Sequence, residues 1–162
     1  MELDLRPLIA ADRPGLVTIL ERTAHFNAEE VEVALELIDE AIAHGDVTSY
    51  RVIVAVQHGS AGDVPVGYVC YGRTPMTAGT FDLYWIVVDP ALRGGGVGRR
   101  LWAACSAAVQ ATDGYLVRIE TSSVELYADT LAFYDRIGFI EVARIADFYR
   151  PGDDLVTYVW RA

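Results

Sequence analysis

What this sequence lacks narrows its identity first. No apolar run approaches the ~18–20 residues that a helix needs to cross a bilayer. Met1 to Arg13 alternates charged and apolar residues. It lacks the basic start and apolar middle of a secretion signal, so a cytoplasmic protein with no membrane partner is expected. Cysteine is scarce: Cys70 and Cys105 each sit inside an apolar stretch, with no CxxC or Cys/His spacing. Buried, reduced thiols are the expectation. His25, His44 and His58 stand too far apart to make a local metal motif, so no metal site is expected. Positive charge is also short, with 13 basic residues against 23 acidic ones and a net charge of −10. Such a domain repels nucleic acid unless a basic patch is segregated. The tight basic cluster is Arg93, Arg99 and Arg100, and its neighbouring glycines suit a small phosphorylated ligand better than a polynucleotide. The acidic surplus favours a cationic acceptor such as an amine.

What is present is one alternation of strands and helices, without internal repeat, low-complexity tract or linker. Its 162 residues fit a single domain spanning 1–162. Leu3 to Leu8 reads as a strand, and Asp12 as the cap of a helix reaching about Thr23, with Leu16, Ile19 and Leu20 on one face. Asn27 followed by Glu30 forms a capping-box pattern before a stripe of Val31, Leu35, Ile38 and Ile42, and Gly45 stops that helix. Arg51–Val56 and Val64–Tyr71 read as a hairpin turning through His58–Asp63. Phe81–Val88 is a strand, Val97–Ala111 a helix and Leu116–Thr121 a strand. This unit is expected to be a parallel crossover. Tyr127–Ile137 is a helix ended by Gly138. Phe139–Ile145 and Leu155–Trp160 close the sheet across a loop containing Pro151-Gly152. The fold class is α/β (α+β): a mixed, mostly antiparallel sheet of about seven strands flanked by about four helices.

The chemistry concentrates in Trp85-Ile86-Val87-Val88-Asp89-Pro90-Ala91-Leu92-Arg93-Gly94-Gly95-Gly96-Val97-Gly98-Arg99-Arg100. An apolar strand runs into a glycine-rich turn that opens a helix. Helix N-termini carry unpaired N–H groups and partial positive charge. Glycines let those groups approach an anion, and arginines add charge-assisted hydrogen bonds. A P-loop needs Gly-Lys followed by Ser or Thr, where Arg99-Arg100 stand. A dinucleotide-binding fingerprint needs a third glycine at Arg99 and a place beside the first strand. Both fail on spacing and location.

This stretch resembles the coenzyme-binding signature of the GNAT (Gcn5-related N-acetyltransferase) superfamily: Arg or Gln, two residues, Gly, one residue, Gly or Ala. Arg93, Gly96 and Gly98 match it. Ala132-Phe133-Tyr134-Asp135-Arg136-Ile137-Gly138-Phe139 resembles the family's late helix. Asp147 to Asp154 resembles the text of a bacterial subgroup for which no substrate is implied. The resemblance runs from about Tyr50 onward, with the two N-terminal helices in outline. It implies acetyl-CoA as cosubstrate. Arg93, Gly94, Gly95, Gly96, Val97, Gly98 and Arg99 would hold the diphosphate, and the backbone of Ile86, Val87 and Val88 would pair with the pantetheine arm. It also implies that Tyr134 protonates the departing thiolate, a plausible task for a phenol of ordinary pKa ~10. Two positions depart from the family. Tyr127 stands where an Asn commonly touches the coenzyme, and Tyr84 stands where a Glu general base is common.

Strand alternation puts Asp82, Tyr84, Ile86 and Val88 on one face. Asp82 and Glu120 are therefore the candidates for the base that an attacking amine requires. A backbone N–H near Val87 is the expected donor to the developing oxyanion. His25, Phe26, Tyr84 and Tyr149 are the expected acceptor-pocket residues. The resulting expectation is direct transfer of an acetyl group to a primary amine, most simply of a small molecule. A protein acceptor and a noncatalytic acyl-CoA-binding module remain alternatives, and the resemblance also allows a homodimer.

Overall fold

The computed structural model describes residues 3–60, 62–124 and 127–162. Seven strands form one sheet: β1 (Leu3–Pro7), β2 (Tyr50–Gly59), β3 (Gly62–Arg73), β4 (Thr80–Val88), β5 (Leu116–Ser122), β6 (Ile140–Arg150) and β7 (Asp153–Arg161). Their spatial order is β1-β2-β3-β4-β5-β7-β6. Only β4 and β5 run parallel. Four α-helices accompany them: α1 (Arg13–Arg22), α2 (Ala28–His44), α3 (Val97–Gln110) and α4 (Ala128–Arg136). The expected mixed sheet and the β4–α3–β5 crossover are both present. No helix among the described residues is long and apolar enough to cross a membrane.

Strand alternation divides the core into two layers. On β2 and β3, Val52, Val54, Val56, Tyr68 and Cys70 face Leu16, Leu20, Ala34 and Ile38 of α1 and α2. The intervening Ala55, Val69 and Tyr71 face Leu101, Trp102, Cys105 and Val109 of α3. On β4 the alternation breaks. Phe81 and Leu83 lie in the α3 layer, yet so does Ile86, while Trp85 and Val87 pack in the α1/α2 layer. The cause is a bulge: Cys70 pairs with Trp85 and Tyr71 with Leu83, leaving Tyr84 unmatched. An extra residue inverts the parity beyond it. The expected common face of Asp82, Tyr84, Ile86 and Val88 is therefore corrected. Asp82 and Ile86 belong to opposite faces.

The capping box forms as its pattern predicts. Asn27 Oδ1 accepts from the Glu30 amide at 2.9 Å, and the Asn27 amide donates to Glu30 Oε2 at 2.8 Å. Asp12 does not cap α1 through its side chain. Its carboxylate, 2% exposed, turns back to take two 2.8 Å bonds from Arg6 and one of 2.9 Å from the Ile9 amide. The region read as a C-terminal loop is instead a continuation of β6 and β7 around Pro151 and Gly152. Gly152, at φ 82°, follows a proline, the pairing that a tight turn requires. β6 is the edge strand, and all of its residues are exposed.

Candidate active site

The site begins where the sheet comes apart. β4 and β5 pair only at Thr80–Leu116, Phe81–Val117 and Asp82–Arg118. Beyond Asp82, β4 stays paired with β3 on one side, and its other edge has no strand neighbour. The Asp89 amide donates to the Val66 carbonyl of β3. Backbone groups alternate in direction along a strand, so the Val87 amide points into the sheet. The amides of Ile86 and Val88 point to the open edge.

The open edge leads to an anion cradle. Asp89 accepts from the Ala91 amide at 2.9 Å and from Arg22 at 3.0 Å, fixing the turn that follows β4. Gly94 and Gly96 then take φ of 80° and 83°, a left-handed conformation that side-chain-bearing residues avoid. These two reversals deliver the chain into the first turn of α3. The amides of Gly94, Gly96, Val97, Gly98 and Arg99 have no acceptor among the described residues, whereas that of Gly95 bonds to the Leu92 carbonyl. Gly98 lies close to α4: a Cβ there would stand 3.3 Å from the Phe133 ring and 3.7 Å from Val88. Arg93, Arg99 and Arg136 line the same cleft, and none of the three joins an ion pair among the described residues. Free donors and unpaired guanidinium groups around one cavity, in so acidic a chain, fit a diphosphate.

The cleft measures about 540 Å³ and runs between β4, the glycine turn, α4 and the α1–α2 connection. Ile86, Val87, Val88, Val97, His25 and Phe26 line it. From α4 come Asp129, Thr130, Phe133, Arg136 and Ile137. The helical spacing of these five was the signal that could have revealed Arg136 from sequence. Thr23 also lines the cleft and had no such signal. Tyr134 lies one position round from that face. It is 6% exposed and packs on Phe133, Phe139 and Tyr158, and burial raises its phenol pKa.

A chain of rings includes two of the lining residues, His25 and Phe26. Trp85 of β4 meets Phe26 at 5.3 Å, Phe26 meets His25 at 4.6 Å, and His25 meets Tyr127, before α4, at 5.0 Å. The Tyr127 hydroxyl donates to Glu30 Oε1 at 2.5 Å, tying the start of α4 to α2.

The remaining expected residues lie off the cleft wall. Asp82 accepts from Arg118 Nε at 2.7 Å and from Thr74 Oγ1 at 2.8 Å, so each carboxylate oxygen is engaged where β4 and β5 still pair. Glu120 is exposed and sits 3.6 Å from the same guanidinium. Tyr84, the bulged residue, meets Tyr50 edge to face at 5.3 Å. Its phenol is pushed up to about 12, first by burial and then by Asp82. Tyr149 stacks on Phe148; partial burial raises its phenol pKa, as do Glu120, Asp153 and Glu30. Among the described residues, no group of His, Cys, Asp and Glu is arranged to hold a metal ion.

Comparison with known proteins agrees with this geometry. Residues 48–141 match the profile of the acetyltransferase (GNAT) domain. A GNAT-family protein from Desulfovibrio desulfuricans is 39% identical over 99% of both chains, with a TM-score of 0.92. The fold is shared at lower identity by the ribosomal-protein-S18-alanine N-acetyltransferase of Escherichia coli. There the identity is 18%, covering 99% of this chain and 94% of that one, with a TM-score of 0.75. It is shared also by an aminoglycoside 6′-N-acetyltransferase solved with coenzyme A, at 15% identity over 98% and 96% of the two chains, with a TM-score of 0.73. No curated protein matches the sequence. The split sheet, the glycine cradle and the matched profile make this chain a member of the GNAT family of acyl-CoA-dependent acetyltransferases.

Proposed function

We propose that this protein transfers the acetyl group of acetyl-CoA to a primary amine of a small molecule, by direct attack in a ternary complex in the cytoplasm. The observation that carries the reading is the convergence, in one cleft, of acceptorless amides, unpaired guanidinium groups and the open edge of β4. In this reading the amides at 94 and 96–99, with Arg93, Arg99 and Arg136, bind the diphosphate. The free backbone of Ile86 and Val88 pairs with the pantetheine arm. Acetyl-CoA supplies the thioester carbonyl that the amine attacks. Tyr134 is the proposed proton donor to sulfur: with its pKa raised by burial, its phenol keeps its proton at neutral pH. A covalent acyl-enzyme is not favoured. Both cysteines are buried, and burial pushes their thiols up to about 12, far from the thiolate that nucleophilic catalysis needs.

The chain's net charge of −10 favours a cationic small amine as acceptor. The test is thiol release from acetyl-CoA across polyamines, aminoglycosides, amino acids and peptides with a free alanine terminus. Release with small amines is expected, and Tyr134→Phe should lower turnover by about 10²-fold. Turnover with peptides alone would indicate a protein acceptor. Thermal stabilisation by acetyl-CoA without any release would indicate a binding module. β6 exposes Ile140, Val142, Ile145 and Phe148 along an unpaired edge. This edge supports a homodimer, which sedimentation at two protein concentrations would detect.

A further inference from the structure

His25 occupies the short connection between α1 and α2, on the cleft wall beside Ile86, Val87 and Val88. Its ring is held edge-on between Phe26 and Tyr127. Neither ring nitrogen has a hydrogen-bond partner among the described residues. By contrast, the rings of His44 and His58 are joined to Glu40 and Asp63. The carboxylates near the cleft are mostly engaged. Glu30 takes the Tyr127 hydroxyl and the Asn27 amide, and both oxygens of Asp82 are taken. Asp129 lines the cleft, but it is exposed in the first turn of α4.

We propose that His25 is the general base of acetyl transfer, accepting the proton of the attacking amine directly or through one water. This rests on the acetyltransferase reading above. The amine lone pair forms the C–N bond to the thioester carbonyl carbon. The C–S bond breaks, and its electron pair leaves on sulfur. The proton lost from nitrogen passes to His25, sulfur takes one from Tyr134, and solvent restores both side chains. Asp82, by contrast, does not line the cleft, and both of its oxygens are engaged by Arg118 and Thr74.

The surroundings keep the imidazole neutral. Burial lowers its pKa from the ordinary 6.5, and the charge of Arg93 lowers it further. Glu30 of α2 and Asp129 of α4 oppose this without cancelling it. The phenol proton of Tyr127 is directed to Glu30. At pH 7 His25 is thus ready to accept a proton. Below its lowered pKa it becomes imidazolium and stops acting.

The experiment measures turnover against pH at saturating acetyl-CoA, with whichever amine of the panel releases most thiol. Wild type, His25→Ala, His25→Gln and Asp129→Asn are compared. In the wild type the acid limb should fall at a pH below 6.5. His25→Ala and His25→Gln should lose about 10²-fold or more at pH 7 and lose that limb, while still being stabilised by coenzyme A on heating. Added imidazole should restore part of the His25→Ala rate, and Asp129→Asn should keep the limb. Wild-type rates and an intact limb in both His25 variants would overturn the assignment, as would a limb that vanishes in Asp129→Asn. A wild type that releases no thiol with any acceptor would remove the acetyl-transfer reading, and this assignment with it. A working wild type beside unaffected His25 variants would remove the assignment alone.

Discussion

Replacing Gly96 with alanine separates the cost of backbone handedness from that of crowding. Gly96 precedes α3 at φ 83°, ψ 0°. An L-residue there costs about 1–2 kcal/mol. A Cβ would meet no atom within 4 Å, so the cost is conformational and not steric. For a domain of this length each kcal/mol shifts the melting temperature by ~2–4 °C. The ligand-free variant should therefore melt ~2–8 °C lower. A Cβ at Gly94 or Gly96 would meet no atom within 4 Å, so nothing there resists a local rotation that relieves the strain, and rotation misaims the amides of Gly96 and Val97. A hydrogen bond to a charged group is worth about 1.5–3 kcal/mol, so coenzyme A should bind roughly 10-fold more weakly or worse. Gly95→Ala is the control. Gly95 is not left-handed, and its Cβ would stand 3.1 Å from the Leu92 carbonyl oxygen, which a small local shift relieves. Scanning calorimetry without ligand and titration calorimetry with coenzyme A measure both effects. Wild-type affinity in Gly96→Ala, or equal weakening in Gly95→Ala, would refute the claim that handedness aims these amides.

Two further outcomes follow from buried groups. Asp12→Ala removes the carboxylate that holds Arg6 in two hydrogen bonds and leaves Asp63, at 3.4 Å, as the substitute partner. A loss of roughly 3 kcal/mol is expected by urea titration, with coenzyme A affinity unchanged; a loss under about 1 kcal/mol would mean that Asp63 replaces Asp12. The thiols of Cys70 and Cys105, held at about 12 by burial, should ignore an aromatic disulfide reagent at pH 8 and react only once urea unfolds the chain. Rapid labelling of the native protein would contradict their placement.

The sequence displays what is local and periodic. The alternation of Val52, Val54 and Val56 announces a strand between two layers, and Asn27 with Glu30 announces a helix start. Arg93, Gly96 and Gly98 announce an anion cradle because the turn, the helix and its donors are contiguous. Three features resist such reading because they belong to pairing between distant segments. The bulge at Tyr84 depends on how β3 meets β4, and it reverses which residues share a face with Asp82. The end of β4–β5 pairing at Asp82 and Arg118 depends on the course of both strands. The contact of His25 with Tyr127 joins residues that only the fold brings together. Asp12 shows the same limit at short range. Its position fits a helix cap, but the stronger attraction of the half-buried Arg6 guanidinium takes its carboxylate elsewhere.

Among the described residues, three strand residue pairs join β1–β4 to β5–β7 along one seam. An extended arm laid along Ile86 and Val88 would act as stitching across that seam, supplying the backbone bonds the chain leaves out. The grip on the donor and the stiffness of the sheet's midline are then one property viewed from two sides. Loss of that arm would leave the midline with its three pairs alone.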